Sequence, residues 1–220
     1  MRRLLVLLAA LATLVTSGAA VAAAGPAGAA GPSAAQLHRT AKIVVRPVYD
    51  NGTPVAGWKV VKQKIPGFTC DSGPSYVAVD PNIRYCGFSA TYTVACWKST
   101  HHTVLCMRDP RVHKLARIRY TGSFGNVKAP AHPSPQALGL FGKGYCLVRD
   151  GGAWGSVKGH PRWNGTYSCG RGSLYGPGRD GIDRSVNPWR VHLVLNLNRP
   201  TIRERRVATA YYAGTAHYVR

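Results

Sequence analysis

The stretch Cys86-Gly87-Phe88-Ser89-Ala90-Thr91-Tyr92-Thr93-Val94-Ala95-Cys96-Trp97, turning through Lys98 to His102 and returning as Thr103-Val104-Leu105-Cys106-Met107, decides the fold class. Its outgoing arm alternates, with Phe88, Ala90, Tyr92, Val94 and Cys96 on one face and Ser89, Thr91 and Thr93 on the other. A period of two with aromatic and β-branched residues is a strand signal. Folding the arm back about His101 sets Cys96 opposite Cys106 and Trp97 opposite Leu105. Opposed residues on a hairpin lie within disulfide reach. The stretch therefore reads as a crosslinked β-hairpin.

Outward from it, the same signals recur. Ile43 to Tyr49 is β-rich and runs into the turn Asp50-Asn51-Gly52, and strand character resumes at Trp58 to Val61. Arg117 to Tyr120, Tyr145 to Val148, Trp163 to Cys169, Trp189 to Leu197 and Arg206 to Ala213 also read as strands. Asp109-Pro110 has the form of an N-cap followed by a first-turn proline, and Ser134-Pro135 offers a second short helical start. Gly170 to Asn187 carries little apolar periodicity and reads as surface loop. The expected class is mainly β: a single antiparallel domain with one or two short helices, stabilised by disulfides.

The N-terminal part has a different character. Arg2 and Arg3 precede an apolar run from Leu4 to Val15, and Ala22-Ala23-Ala24 forms a small-residue cleavage site, the pattern of an export signal. The run is short for a membrane span, so no stable membrane insertion is expected. The expected organisation is a signal peptide over 1–24, a flexible Ala/Gly/Pro leader over 25–41 and one β-rich domain over 42–220, secreted and monomeric. All six cysteines lie in the exported part, and an even count in an oxidising compartment favours disulfides. Spacing alone does not choose among the possible pairings. The sequential set, Cys70–Cys86, Cys96–Cys106 and Cys146–Cys169, is the expected one. No Cys or His spacing suits a metal, and no cofactor is implied.

Several pieces resemble a set of exported actinobacterial proteins of unknown function. They are Cys86 to Ala90, Ala95-Cys96-Trp97, Leu105 to Pro110, Asp150 to Gly155, Gly181 to Ser185 and Ala208 to Thr215. The similarity runs from about Val45 onward. It implies a secreted, disulfide-bonded single domain and carries no activity, ligand or catalytic residue.

Charge gives the functional direction. The chain has 29 Lys and Arg against 8 Asp and Glu, a net of +21, and losing Arg2 and Arg3 with the signal leaves +19. Such a surface attracts polyanions whatever the fold. The expected role is non-catalytic binding of an anionic cell-envelope polymer, a cell-wall surface or another polyanion. Two other classes stay open: a phosphodiesterase-like secreted hydrolase, and an extracellular inhibitor or interaction module. Glu204 is the only glutamate, which disfavours the paired carboxylates of glycan hydrolysis. The weak catalytic candidates are His101 and His102 at the hairpin tip and Asp180 and Asp183 in a Gly-rich loop. Arg179 and Arg184 flank those aspartates as candidate anion contacts, and Trp154 and Trp163, beside Gly-rich turns, are candidate ligand platforms. No nucleophile elbow or zinc-protease helix occurs.

Overall fold

The two histidines at the hairpin tip show why the central stretch folds as it does. His101 and His102 both have φ of 53°, and the Thr103 amide bonds the Thr100 carbonyl at 3.1 Å. Two consecutive left-handed residues make the type I′ turn whose twist matches its strands. The computed structural model describes residues 39–88, 92–142, 144–149, 151 and 154–219, and these fall in one compact unit. The segment expected to be a signal peptide, 1–24, and most of the expected leader, 25–41, lie outside the described residues.

The strands are β1 (Ala41–Val45), β2 (Lys59–Gln63), β3 (Ile83–Cys86), β4 (Thr93–Lys98), β5 (Thr103–Met107), β6 (Lys114–Arg119), β7 (Ala137–Leu140), β8 (Gly144–Val148), β9 (Asn164–Cys169), β10 (Ser173–Gly176), β11 (Arg190–Val194) and β12 (Ile202–Ala213). A five-stranded sheet runs β2-β6-β5-β4-β3. The other seven strands run β1-β12-β11-β10-β9-β8-β7, and β7 pairs again with β12. β7 to β12 thus close into a six-stranded antiparallel barrel, which leaves those strands no bare edge. β12 makes closure possible by its length: Ile202 to Arg206 pair with β11, and Val207 to Tyr211 with β7. Its last residues add β1 in parallel, Ala41 opposite Thr209.

The barrel is filled. Leu138, Leu140, Tyr167, Leu174, Val191, Val207 and Ala210 are buried together, and the Tyr167 hydroxyl donates to the Pro135 carbonyl at 2.8 Å. A buried phenol needs such a partner, because an unpaired hydroxyl in the core is costly. Gln136, fully buried, donates to the Met107 carbonyl at 2.8 Å, and the Trp97 indole N–H donates to Thr215 Oγ1 at 3.0 Å. The Gln136 and Trp97 bonds tie the barrel side to the five-stranded sheet, and the Ala78–Ala213 bridge ties the segment before β3 to the end of β12.

All three sequential disulfides form, at S–S distances of 2.17, 2.07 and 2.05 Å. Cys96 sits opposite Cys106 and Trp97 opposite Leu105, as hairpin register requires. The mainly β class holds, with differences of detail. Among the described residues no helix forms. Asp109 instead closes an Asx turn, its carboxylate accepting the Arg111 amide at 2.9 Å, and Lys114 to Ala116 are already in β6. The side-chain bond gives the backbone an alternative to the helical turn. Ser134-Pro135 leads directly into β7, whose Ala137, Leu138 and Leu140 are buried. The stretch from Cys86 to Cys96 is not one strand. Cys86 ends β3 and faces Thr93 of β4, Phe88 is 44% exposed, and Ser89-Ala90-Thr91 lie outside the described residues. β4 does not alternate in exposure, because Val94 to Trp97 are covered on both faces of the sheet. Residues 170–187 are not all loop: β10 lies within them, and its Leu174 and Tyr175 are 2% and 3% exposed. Two pairings are parallel, β1 with β12 and β2 with β6, so the Asn51-Gly52 turn joins strands of different sheets.

Candidate functional site

Each end of the barrel opens into a groove. At the end where β10 leaves and β11 enters, the groove holds ≈ 800 Å³ and its lining includes Lys42, His132, Arg179, Asp180, Arg184, Trp189 and Tyr212. This is the tryptophan end. Three of the candidates named from the sequence, Arg179, Asp180 and Arg184, meet here, delivered by the loop between β10 and β11. Gly181 shapes that loop, with φ of 66° and its backbone against Gly176, where a Cβ would lie 2.8 Å from Gly181.

Asp180 is 7% exposed and makes a two-pronged pair with Arg184, at 3.0 and 2.6 Å. It also accepts the Ile182 amide at 3.3 Å. Burial alone would raise its pKa, but the bonds and charge of Arg184, with Ser134 and Ile182, outweigh burial and hold it below the carboxylate range. Burial also pushes down on Arg184, and Asp180 more than restores it. Tyr212 is pushed up by desolvation and stays a neutral phenol. Asp183 stands apart on the exposed surface, accepting the Ser185 amide at 2.9 Å and its hydroxyl at 2.6 Å, and these bonds lower its pKa. Both aspartates therefore remain anionic. A general acid needs a carboxyl pushed upward, and neither provides one.

Cations dominate what is left. Lys42 Nζ lies 5.3 Å and the Arg184 guanidinium 5.0 Å from the Trp189 ring centre, and Arg179 lies 5.8 Å from that of Tyr76. Trp189 is 7% exposed, so it acts as a wall on which the cations rest rather than as a free stacking face.

The remaining candidates are elsewhere. His101 and His102 stay on the exposed hairpin tip of the five-stranded sheet, and no hydrogen bond or ion pair joins them to Asp180 or Asp183 among the described residues. Trp163 carries two stacked imidazoles, His160 at 3.9 Å and His192 at 4.8 Å. Trp154 lies on Gly165, where a Cβ would come within 2.2 Å of its ring, and Arg149 covers it at 4.9 Å. Both indoles are engaged in packing along the barrel wall. Sequence reasoning missed Lys42, His132, Trp189 and Tyr212 as groove residues, since they are far apart in the chain and only barrel closure brings them together.

The opposite groove, the arginine end, holds ≈ 710 Å³ and is lined by Arg111, Arg171 and Arg205 over Leu140, Phe141, Leu147 and Leu193. No motif or spacing in the chain points to it. Among the described residues no three His, Cys, Asp or Glu side chains gather as a metal site, and no helix is long and apolar enough to cross a membrane. Against known protein families, curated proteins and solved structures, the chain finds no match.

Proposed function

We propose that the protein is secreted and non-catalytic, and that it binds an anionic cell-envelope polymer or similar polyanion reversibly through the groove at the tryptophan end. The observation that carries this reading is the charge balance of that groove. Lys42, Arg179, Arg184 and His132 line it, and Asp180, its one carboxylate, is already bound by Arg184. The net field of the groove is therefore positive, and it adds to the +19 left when Arg2 and Arg3 are removed from the net +21. Arg179 is exposed, 5.8 Å from the Tyr76 ring centre, and its planar fork suits a phosphate or carboxylate. Three disulfides are in keeping with an oxidising, extracellular setting.

The test is retention of the disulfide-intact protein on an immobilised acidic polymer across a salt gradient. Binding should weaken steeply as salt rises, because each neutralised phosphate releases counterions. On duplex nucleic acid, Arg179→Gln and Lys42→Gln should each flatten the logarithmic salt slope by about one. Retention equal to that of any comparably basic protein, and unchanged by these substitutions, would sink the proposal. Phosphodiester cleavage that disappears in His101→Ala would put a hydrolase first.

A further inference from the structure

The arginine end presents a different chemistry, and three separate segments build it. Arg205 lies on β12 opposite Val191, which is fully buried in the barrel. Strand alternation therefore turns Arg205 toward the barrel interior, while its neighbour Glu204 faces the other way and pairs with Arg190 at 3.5 Å. Arg171 sits at the tip between β9 and β10, two residues beyond Cys169 of the Cys146–Cys169 disulfide. The tip is held tightly: the Cys169 amide bonds the Gly172 carbonyl at 3.0 Å, and a Cβ on Gly172 would lie 2.6 Å from the Val194 carbonyl oxygen. Arg111 follows the Asx turn, and its guanidinium lies 3.1 Å from the ring centre of Tyr145. The Tyr145 hydroxyl donates to Asp109 Oδ1 at 2.6 Å, so that carboxylate is engaged outside the lining.

Three guanidinium groups thus line one cavity that has no lining carboxylate, and none of the three has an ion pair among the described residues. Arg111 has Asp109 nearby through Tyr145, whereas Arg171 and Arg205 have no carboxylate in the lining, so the cavity's field favours an anion. The floor beneath them is aliphatic and aromatic, which an inorganic ion would leave exposed to water. The cavity's ≈ 710 Å³ falls within the size range of small-molecule sites. We infer that the arginine end binds a single anionic amphiphile: a compact oxyanion head, phosphate or carboxylate, on an apolar chain. The arginines take the head through charge-assisted, fork-shaped bonds, and Leu140, Phe141 and Leu193 take the chain. This site is independent of the polymer groove at the other end.

The experiment is calorimetric titration of the disulfide-intact protein with octyl phosphate, octanoate, inorganic phosphate and octanol, each below its aggregation limit. One equivalent of octyl phosphate or octanoate should bind at least roughly tenfold more tightly than either inorganic phosphate or octanol, and the tighter of the two identifies the head. Arg205→Gln and Arg171→Gln should each weaken that binding by about tenfold or more, whereas Arg179→Gln at the tryptophan end should leave it unchanged. Arg171 is on an exposed tip, so its variant keeps the test meaningful if Arg205→Gln lowers stability. The inference fails if inorganic phosphate binds as tightly as octyl phosphate. It fails equally if neither anionic probe saturates, or if the double arginine variant binds as the parent does.

Discussion

Replacing Asp180 by Asn separates a structural carboxylate from a catalytic or ligand-binding one. The substitution keeps the shape and removes the charge that Arg184 grips at 3.0 and 2.6 Å. Breaking a buried pair costs about 3–5 kcal/mol, because the surviving charge is stranded. Here the Arg184 side chain is 37% exposed and water takes up part of that loss, so about 2 kcal/mol is expected. For a domain of this size, that corresponds to a Tm about 4–8 °C lower. The pH dependence has a definite sign. Asp180 is depressed in the folded protein, so its contribution is complete above the ordinary carboxylate value of 3.8 and is lost as pH falls through the folded value. The gap in Tm between parent and variant should therefore narrow on acidification. On an acidic column the variant, more positive by one charge, should elute at equal or higher salt. Calorimetric melts at stepped pH, beside the salt gradient, supply both readouts. An unchanged Tm at neutral pH together with weaker retention would refute the reasoning and place Asp180 on the ligand.

Three further outcomes follow from local geometry. Converting the hairpin tip to Asn-Gly, as His101→Asn with His102→Gly, should stabilise the protein by about 1 kcal/mol in chemical denaturation, since both positions have positive φ. Loss of stability there would mean that the His102 imidazole, 5.9 Å from the Tyr120 ring centre, contributes more by packing than the positive φ costs. Removing the hairpin crosslink as Cys96→Ser with Cys106→Ser, a separation of 10 residues, should cost about 3 kcal/mol of stability, read from a lowered denaturant midpoint. Gly165→Ala drives a methyl into the Trp154 ring at 2.2 Å and should cost about 1–3 kcal/mol, with a changed near-ultraviolet tryptophan signal. An unaltered signal would show that Trp154 does not pack there.

What the sequence revealed was the part encoded at short range. The Cys96–Cys106 hairpin, its two-residue tip, and strands such as Asn164–Cys169 follow from alternation, turn residues and opposed cysteines. The parts that stayed hidden depend on distant segments. β10 is only 4 residues long and is buried by neighbours on both sides, so no periodicity announces it. The helical start at Asp109 was misleading because the same carboxylate serves an Asx turn equally well, and tertiary pairing of β6 decides between them. Arg171 and Arg205 share a cavity because β9 and β12 belong to one closed barrel, and Arg111 reaches it from the β5–β6 connection by resting on Tyr145 of β8. Composition announces a basic chain, but the strand order decides which arginines are neighbours.

The long final strand has a consequence for how the chain reaches this state. Thr40, just ahead of β1, donates its hydroxyl to the Val207 carbonyl at 2.8 Å across a separation of 167 residues. β7 likewise waits for Val207 to Tyr211. Contacts of such span incur the entropy of a very long loop before they return any stabilisation, so folding to the closed barrel belongs to the slow, high-contact-order regime. A chain delivered from its N-terminus can complete the five-stranded sheet early, since β2 to β6 lie within the first 119 residues. The barrel cannot close until Ile202 to Ala213 have arrived. Until then β7 and β11 keep bare edges, and Thr40 and β1 have no strand to join. The last strand thus sets the order in which the chain can close: until it arrives, the edges of β7 and β11 are open to pairing with another chain.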